Sequence, residues 1–333
     1  MHLLVGIDTE GDNQWDAAAR VNQRFENLYA LPVLHALFAR HGVRPTYVIT
    51  YPVATDARSA EVLRGLKAGG DCEIGAHHHA WETPPCTADD VRRHAYAASL
   101  PLPQFEAQLA ALTAAIAGAV GERPVSYRSG RFGFSAAHVA ALEQQGYQIE
   151  SSVAPLFYEG HKQGPDFVEA PLTPYYLAYD SATRPGTSDL LEVPVSAALS
   201  RRLPRPLQHL YARAPRPYTT KRVLRKLGLA HVRWLRPSYS SLDDMKALAR
   251  DLADAGEPVL NLLFHSSEAI VGGSPYNRTA AELAAFCDRL ERFFEYATGP
   301  LQATPATFSE FRRAYLAPAP PARTPRHPAA STP

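Results

Sequence analysis

Glu73-Ile74-Gly75-Ala76-His77-His78-His79-Ala80-Trp81 is a short apolar run that ends in three consecutive histidines. An extended backbone turns alternate side chains to opposite faces, so His77 and His79 share one face and His78 takes the other. Three histidines in a row seldom serve packing, although a solvated surface loop would tolerate them. Because two imidazoles on one face can bind one metal ion, we predict a strand that ends in a metal site.

Two acidic residues end the first apolar run of the chain, Leu3–Ile7. In Asp8-Thr9-Glu10, the two carboxylates are two positions apart, so on a strand they share a face. Two carboxylates close together are costly unless a cation or a proton lies between them. This segment is therefore either a functional strand end or a polar strand end followed by an Asp/Gly turn.

A histidine also follows the late apolar run Val259–Phe264. A lone histidine in such a place is more often structural. His265, however, stands where a third strand would reach the mouth of a parallel barrel, the end at which active sites are built. We therefore predict that His265 is an acid/base group at the same site.

The whole chain repeats this pattern of a short apolar run followed by a segment of helical period. The predicted strands are Leu3–Ile7, Pro45–Thr50, Cys72–Gly75, Val125–Tyr127, Gln148–Ser151, Leu190–Val195 and Val259–Phe264. The predicted helices are Ala57–Lys67, Gln104–Val120, Ala136–Gln145 and Leu242–Ala255, the last preceded by a capping-box pattern at Ser241 and Asp244. This alternation predicts an α/β fold with a mostly parallel sheet or barrel.

Composition and charge narrow the class of protein. The chain has 333 residues, of which 46% are hydrophobic and 20% charged, as in globular proteins with ample core. A formal net charge of +1 gives no overall attraction to nucleic acid, so no nucleic-acid partner is expected. Three cysteines without a CxxC pair argue against a disulfide framework and a thiolate zinc site. The first residues lack the pattern of a signal peptide, and we expect a cytoplasmic protein.

Two segments differ from the rest. From Arg201 to Arg236 the chain has eleven Lys or Arg residues and no Asp or Glu, and Thr219–Leu229 is its predicted helix. This segment is either a solvated surface excursion or a platform for an anionic substrate or a membrane surface. Residues 318–333 are rich in Pro and Ala, which predicts a disordered tail. We expect residues 1–317 to form a single catalytic domain, with residues 201–236 as a basic helical insertion.

Taken together, these segments resemble the polysaccharide deacetylase family (carbohydrate esterase family 4), in a divergent bacterial branch with an HxH metal motif. The resemblance covers about Met1 to Leu316 and implies a distorted (β/α) barrel. Asp8-Thr9-Glu10 matches the aspartate pair of the family with one residue inserted. His77 and His79 match its histidine motif at a shorter spacing, with Trp81 at the position that the wider spacing would use.

Three further motifs of the family follow in the expected order. Arg128-Ser129-Gly130-Arg131-Phe132-Gly133 resembles the motif whose arginine orients the catalytic aspartate, and we prefer Arg128 over Arg131 for that residue. Gly146–Val153 resembles the next motif, with Glu150 where aspartate is usual. His265-Ser266-Ser267-Glu268, followed by Gly272–Tyr276, fits the last motif.

The resemblance implies a metal-dependent site. Its metal ligands would be Glu10, His77 and His79, and its catalytic residues Asp8 as base, His265 as acid and Arg128 as the residue that holds Asp8. Asp8 and Glu10 could exchange roles because of the inserted Thr9. Zinc is the expected ion, and a site with two nitrogen ligands and one oxygen ligand also accepts cobalt, nickel or manganese.

The implied activity is removal of an acetyl or formyl group from the nitrogen of a sugar. A cytoplasmic enzyme would meet that sugar as a nucleotide- or lipid-linked glycan precursor, and the segment 201–236 would suit its phosphates or contact a membrane. One alternative is a hydrolase of the same fold that cuts a non-sugar C–N bond, such as that of a cyclic ureide. Another is a catalytically silent glycan-binding protein.

Overall fold

The computed structural model describes residues 1–87, 94–160, 164–201, 203–214 and 217–316. The strands of these residues are β1 (His2–Thr9), β2 (Thr46–Ile49), β3 (Glu73–His78), β4 (Ser126–Ser129), β5 (Ile149–Glu150), β6 (Tyr175–Ala178), β7 (Ser181–Pro185), β8 (Leu191–Glu192), β9 (Ala197–Leu199), β10 (Val232–Trp234), β11 (Val259–His265) and β12 (Thr304–Pro305). The predicted tail, residues 318–333, lies outside the described residues.

Helices separate most of the strands. They are α1 (Ala17–Val21), α2 (Glu26–Tyr29), α3 (Leu31–Arg40), α4 (Tyr51–Thr55), α5 (Ala57–Ala68), α6 (Leu102–Val120), α7 (Val139–Gln144), α8 (Arg205–Ala212), α9 (Pro217–Lys226), α10 (Leu242–Asp254), α11 (Ala280–Thr298) and α12 (Phe308–Leu316). None of these helices is both long and apolar enough to cross a membrane.

One curled sheet organises the molecule. Its strand order is β11-β1-β2-β3-β4-β5-β8-β6-β7. The first seven strands in this order run parallel, and the last two, β6 and β7, are antiparallel to their neighbours. In this register Asp8 lies opposite His265 on β11, and His77 lies opposite Arg128 on β4. The carboxyl ends of four strands therefore bring these side chains to one edge, which is the expected geometry of a barrel mouth.

The segment after β8 meets β11 and closes the sheet into a distorted barrel. The backbone N–H of Ser196 donates to the carbonyl of Asn261 at 3.1 Å. The amide of Asn261 in turn donates to the carbonyl of Val193 at 3.0 Å and to the hydroxyl of Ser151 at 2.9 Å. We call this group of contacts the seam, because a few hydrogen bonds replace a regular strand pair there. The predicted α/β barrel class is confirmed.

Alternate residues of β1 face two different cores. Leu3, Val5 and Ile7 pack outward against the helices, while Leu4 packs inside the barrel with aromatic residues of α12 such as Phe308. Burying each such side chain contributes about 1.5–3 kcal/mol relative to leaving it exposed. The amino end of the barrel is therefore a closed apolar core, and the carboxyl end is left for polar side chains.

The structure adds elements that the sequence analysis did not predict. The helices α3, α11 and α12 and the strands β6 and β7 were not expected, and the predicted helix Thr219–Leu229 is observed as Pro217–Lys226. The Ser241 cap of α10 is present, since its side chain accepts from the N–H of Asp244. Cys72 and Cys287 are free thiols.

Candidate active site

A cleft of about 620 Å³ opens at the carboxyl end of the barrel. Five predicted site residues line this cleft: Asp8, Glu10, His77, His79 and His265. They come from β1, β3 and β11 and from the residues that directly follow β1 and β3. The sixth, Arg128, lies behind Asp8 in the wall of the cleft. The structure thus brings the predicted residues together at one place.

Glu10, His77 and His79 form a compact group of three metal-binding side chains. Oε2 of Glu10 lies 3.2 Å from Nε2 of His79 and 3.8 Å from Nε2 of His77. One ligand atom from each residue lies within 4.8 Å of the other two, and all three residues are buried. Two imidazole nitrogens and one carboxylate oxygen at this spacing fit a single divalent cation with coordination positions left open.

The other ring nitrogen of each imidazole has a partner that fixes the ring. Nδ1 of His77 lies 3.1 Å from the carbonyl oxygen of Arg128, and Nδ1 of His79 lies 2.6 Å from Oε1 of Glu82. With Nδ1 directed at such an oxygen, Nε2 is the ring atom that each histidine can offer to a metal ion. Histidines that bind metal ions usually have this kind of outer partner.

The protonation of the two imidazoles also suits a cation site. Burial lowers the pKa of His77 to about 4, so this ring is neutral and has a lone pair to offer. Burial also opposes charge on His79, but Glu82 and Glu10 outweigh it and raise its pKa to about 9. A cation held by Nε2 of His79 would replace that proton in balancing Glu10, so metal binding would release it.

His78 faces away from this group. Its Nε2 lies 2.8 Å from Oε1 of Gln108, its Nδ1 lies 3.3 Å from the hydroxyl of Tyr127, and its ring packs edge-on against Phe105. The strand alternation that the sequence predicts is therefore present, and His78 joins β3 to α6.

Arg128 fixes one oxygen of Asp8. Its Nη1 donates to Oδ1 of Asp8 at 2.7 Å, and its Nε donates to the carbonyl of Ser151 at 2.8 Å. Burial alone would raise the pKa of Asp8, but Arg128 and nearby histidines outweigh burial and hold this pKa below its usual value. A Cβ at Gly6 would lie 2.6 Å from Nη2 of Arg128, so only glycine leaves room for the buried guanidinium.

Arg131 occupies a different place from Arg128. It has a φ of 55° in the short 3₁₀ turn Gly130–Phe132, and its guanidinium lies 4.6 Å above the ring of Trp81. Trp81 in turn stacks on His79, with ring centroids 4.2 Å apart. Gly130 is required here as well, because a Cβ at this position would overlap the ring of His79. Of the two candidate arginines, Arg128 is the one that contacts Asp8.

His265 is held by an ion pair that the sequence analysis did not assign. Its Nδ1 lies 2.8 Å from Oε1 of Glu268, and Glu268 accepts from Arg236 at 3.1 Å and from the hydroxyl of Ser238. Burial would raise the pKa of Glu268, but Arg236 outweighs it and lowers this pKa to about 2. Arg236, the last residue of the basic segment 201–236, is buried and lines the cleft, so a solvated surface excursion does not describe this end of the segment.

The other ring nitrogen of His265 faces the carboxylates of Asp8 on β1 and of Glu10 directly after it. Its Nε2 lies 3.7 Å from Oδ2 of Asp8 and 3.8 Å from Oε1 of Glu10. Burial lowers the pKa of His265, but Glu10 and Glu268 outweigh burial and raise it overall, which favours the imidazolium. An imidazole whose protonated form is favoured and an ionised carboxylate thus face the same small space.

Glu150, the glutamate at the position where the family has aspartate, does not line the cleft. It accepts from the backbone N–H of Ser152 at 3.0 Å and from the hydroxyl of the same residue. It pairs in register with Glu192, and burial raises the pKa of both carboxyls. Glu150 and Glu192 therefore form a buried carboxyl pair outside the candidate site.

Aromatic and cationic side chains surround the cleft. Trp15, Trp81 and Trp234 line it, and Trp15 packs edge-on against His265 with centroids 4.9 Å apart. Arg20 and Arg131 also line it, and burial, followed by the nearby charge of Arg20, lowers the pKa of Arg131. Among the described residues, no carboxylate lies within ion-pair distance of either guanidinium. The mouth of the cleft therefore combines flat apolar surfaces with positive charge.

Comparisons with known proteins identify the fold. Neither a family model nor a curated protein sequence matches the chain. A structure from Mycobacterium smegmatis assigned as a polysaccharide deacetylase matches with a TM-score of 0.53 and 16% identity, over 97% of this chain and 94% of that one. A Parabacteroides distasonis structure assigned as a glycoside hydrolase or deacetylase has a TM-score of 0.61 at 14% identity, over 94% and 71%.

The fold of the polysaccharide deacetylases is also shared with an enzyme of another kind. The structure of Puue allantoinase matches with a TM-score of 0.52 and 16% identity, over 94% of this chain and 90% of that one. At these identities the likeness establishes the fold, and the predicted deacetylase-type barrel is confirmed.

Proposed function

We propose that the protein is a metal-dependent hydrolase that removes an acyl group, acetyl or formyl, from the nitrogen of a sugar. The observation that supports this proposal is the position of Asp8 and His265. The two face each other across 3.7 Å beside the group Glu10, His77 and His79. A cation site, a proton acceptor and a proton donor around one small space are the components that amide hydrolysis requires.

Glu10, His77 and His79 are the proposed metal ligands. Asp8 is less suited to this role because Oδ1 is held by Arg128. The mixed nitrogen and oxygen set favours zinc, and it also accepts cobalt, nickel or manganese. A bound divalent cation would supply positive charge that polarises the amide carbonyl and makes water more acidic.

Asp8 is the proposed general base. Its Oδ1 is bound by Arg128, while its Oδ2 faces His265 and the cleft. In the reaction, the oxygen of a water molecule forms a bond to the acyl carbon and Oδ2 accepts the proton of that water. Arg128 keeps this carboxylate ionised and prevents it from turning towards the ligand group.

His265 is the proposed general acid. The C–N bond breaks with its electron pair moving to nitrogen, and an amine is a poor leaving group unless it is protonated. Nε2 of His265 would donate that proton, while Glu268 fixes the ring through Nδ1. The raised pKa of His265 keeps the ring protonated before this step. The products are a carboxylic acid and an amino sugar.

The rim of the cleft suggests the class of sugar. Indole rings such as those of Trp15 and Trp234 offer flat faces to the apolar side of a pyranose ring. Arg20 and Arg131 line the same cleft, and an anionic group on the substrate would offset the burial of Arg131 and its closeness to Arg20. Guanidinium groups bind phosphate well. We therefore propose a nucleotide- or lipid-linked sugar amide as the substrate.

The decisive experiment combines metal analysis with product release. Purified protein is analysed for bound metals and is then incubated with N-acetyl and N-formyl sugars, free and as nucleoside diphosphate conjugates. We expect metal-dependent release of acetate or formate, and we expect Asp8→Asn to keep its metal while losing turnover. If the protein hydrolysed a cyclic ureide and none of these sugars, it would be a hydrolase of a non-sugar C–N bond. Protein that binds no metal and releases no acid would support the silent glycan-binding alternative.

A further inference from the structure

The helices α8 and α9 form a surface feature that the proposed reaction does not use. We call residues 203–214 and 217–229 the basic hairpin. The two helices contact each other, since Nζ of Lys221 lies 5.4 Å from the centroid of the Tyr211 ring. The sequence from Arg201 to Arg236 contains eleven Lys or Arg residues and no Asp or Glu. The hairpin therefore has a positive charge that no acidic residue of its own offsets.

Large apolar side chains of the basic hairpin lie exposed to solvent. On α8 these are Leu207 and Leu210, and Leu210 is 66% exposed; on and after α9 they are Val223 and Leu227, and Leu227 is 65% exposed. Spacings of three and four residues place each pair on one side of its helix. Single exposed aliphatic residues are normal on a protein surface, but a cluster marks an interaction site.

Exposed basic side chains lie close in sequence to these apolar residues. They include Arg205 on α8 and three on α9, Arg222, Arg225 and Lys226. Within the described part of the chain, none of these four has a carboxylate at ion-pair distance. Arg213, which directly follows α8, differs from them because it pairs with Asp166 at 2.8 Å. Leucines flanked by unpaired arginines and lysines are typical of helices that lie in a lipid–water interface.

The basic hairpin adjoins the cleft. Burial lowers the pKa of Lys221 on α9, and the nearby carboxylate of Glu159, which lines the cleft, opposes this shift. After α9 the chain enters β10, which carries Trp234 to the rim of the same cleft. A surface bound by the hairpin would therefore lie near the mouth of the candidate site.

We propose that the basic hairpin docks on an anionic phospholipid bilayer. The aliphatic side chains would enter the boundary between head groups and acyl chains, and the basic side chains would contact lipid phosphates. The positive charge alone would equally suit a nucleic-acid backbone. The exposed leucines, however, would bury no apolar surface against a phosphodiester chain, whereas they would in a bilayer. Docking of the basic hairpin on a bilayer does not depend on the proposed function. Only its consequence, delivery of a lipid-linked sugar amide to the cleft, rests on that function.

Vesicle flotation of the full-length protein tests the proposal. Vesicles of phosphatidylcholine with a minority of phosphatidylglycerol should carry the protein, and pure phosphatidylcholine vesicles should not. The triple variant Arg222→Glu, Arg225→Glu, Lys226→Glu should lose at least about 100-fold in partitioning, because each basic residue near an anionic surface contributes severalfold. The variant Leu210→Ser, Leu227→Ser keeps every charge and should lose roughly 10-fold.

Matched substitutions elsewhere control for charge and for exposed apolar surface. Arg313 is exposed on α12, at the opposite end of the barrel, and Val33 is 78% exposed on α3. Arg313→Glu and Val33→Ser should bind vesicles as the unmodified protein does. Asp8→Asn should also bind normally, so a failure of the proposed chemistry would leave the docking result intact.

Three outcomes would overturn the docking proposal. The first is equal binding to neutral and anionic vesicles, or none to either. The second is binding to an oligonucleotide that the triple charge variant loses and the leucine variant keeps, which would identify nucleic acid as the partner. The third is a dimer in gel filtration that Leu210→Ser, Leu227→Ser converts to monomer, which would identify a second copy of the chain.

Discussion

On one side of the cleft, Glu10, His77 and His79 bring three ligand atoms within 4.8 Å of one another. On the other side, Asp8 and His265 face each other, and each is backed by an ion partner, Arg128 for the first and Glu268 for the second. A cation would complete the first group, while each residue of the second group already has a charged protein partner. A substitution on the first side should therefore change metal binding, and a substitution on the second side should change turnover while metal binding is kept.

The largest effect is expected for the ligand group. His77→Ala or His79→Ala removes one of three donors, so the purified variant should retain no metal and its turnover should fall to background. His78→Ala is the matched control, because this ring packs on Gln108 and Phe105 away from the cleft. That control should keep its metal and a partial activity. Elemental analysis of the three proteins measures the bound metal. Equal metal loss in all three would contradict the assignment of His77 and His79 to one face of β3 and His78 to the other.

A smaller effect is expected for the acid on the other side. His265→Ala should bind metal normally but hydrolyse a sugar amide on the order of 10²- to 10⁴-fold more slowly, the usual contribution of a general acid. An activated aryl ester has a leaving group that departs without protonation, so the same variant should lose far less on it. Steady-state rates on the two substrates measure this contrast. Equal losses would mean that His265 is a ligand or a structural residue.

The smallest effects are expected for the carboxylates behind each histidine. Glu82→Gln, behind His79, should weaken metal binding by about 10- to 100-fold, which is the usual effect of losing such an outer partner. Glu268→Gln, behind His265, should instead lower amide turnover and leave metal affinity unchanged. Metal titrations and amide kinetics on both variants measure the two quantities. If both variants changed the same quantity, the division of the cleft into two sides would be wrong.

The strand ends could be predicted because they depend on local order in the sequence. Alternation along a strand places Asp8 with Glu10 and His77 with His79, and this holds whatever lies elsewhere in the chain. The parallel sheet then needs only the alternation of strands and helices. For the same reason the separation of His78 from its neighbours was predictable. The roles of these residues stay proposals until metal and products are measured.

Contacts between distant segments were not predictable in this way. Arg236 ends a run of basic residues, and its pairing with Glu268 depends on how that run returns to the barrel. Glu82 follows the histidines closely, yet its direction is set by the turn after β3. The helix α11 did carry a signal, since Thr279 and Glu282 form a capping box. That pattern was present in the sequence and was overlooked.

The seam of the barrel has a consequence for motion. The amide of Asn261 holds the hydroxyl of Ser151, and the same hydroxyl accepts from Arg128. Local opening of the barrel at this point would therefore release Arg128, which holds Asp8 in place. This would happen before the apolar core at the amino end of the barrel unfolds. Reversible heat inactivation should begin below the midpoint of global melting, and amide protons of Ser196 and Leu263 should exchange faster than those of β1. In this protein, sensitivity to temperature would therefore reside in a few hydrogen bonds where the sheet is incomplete.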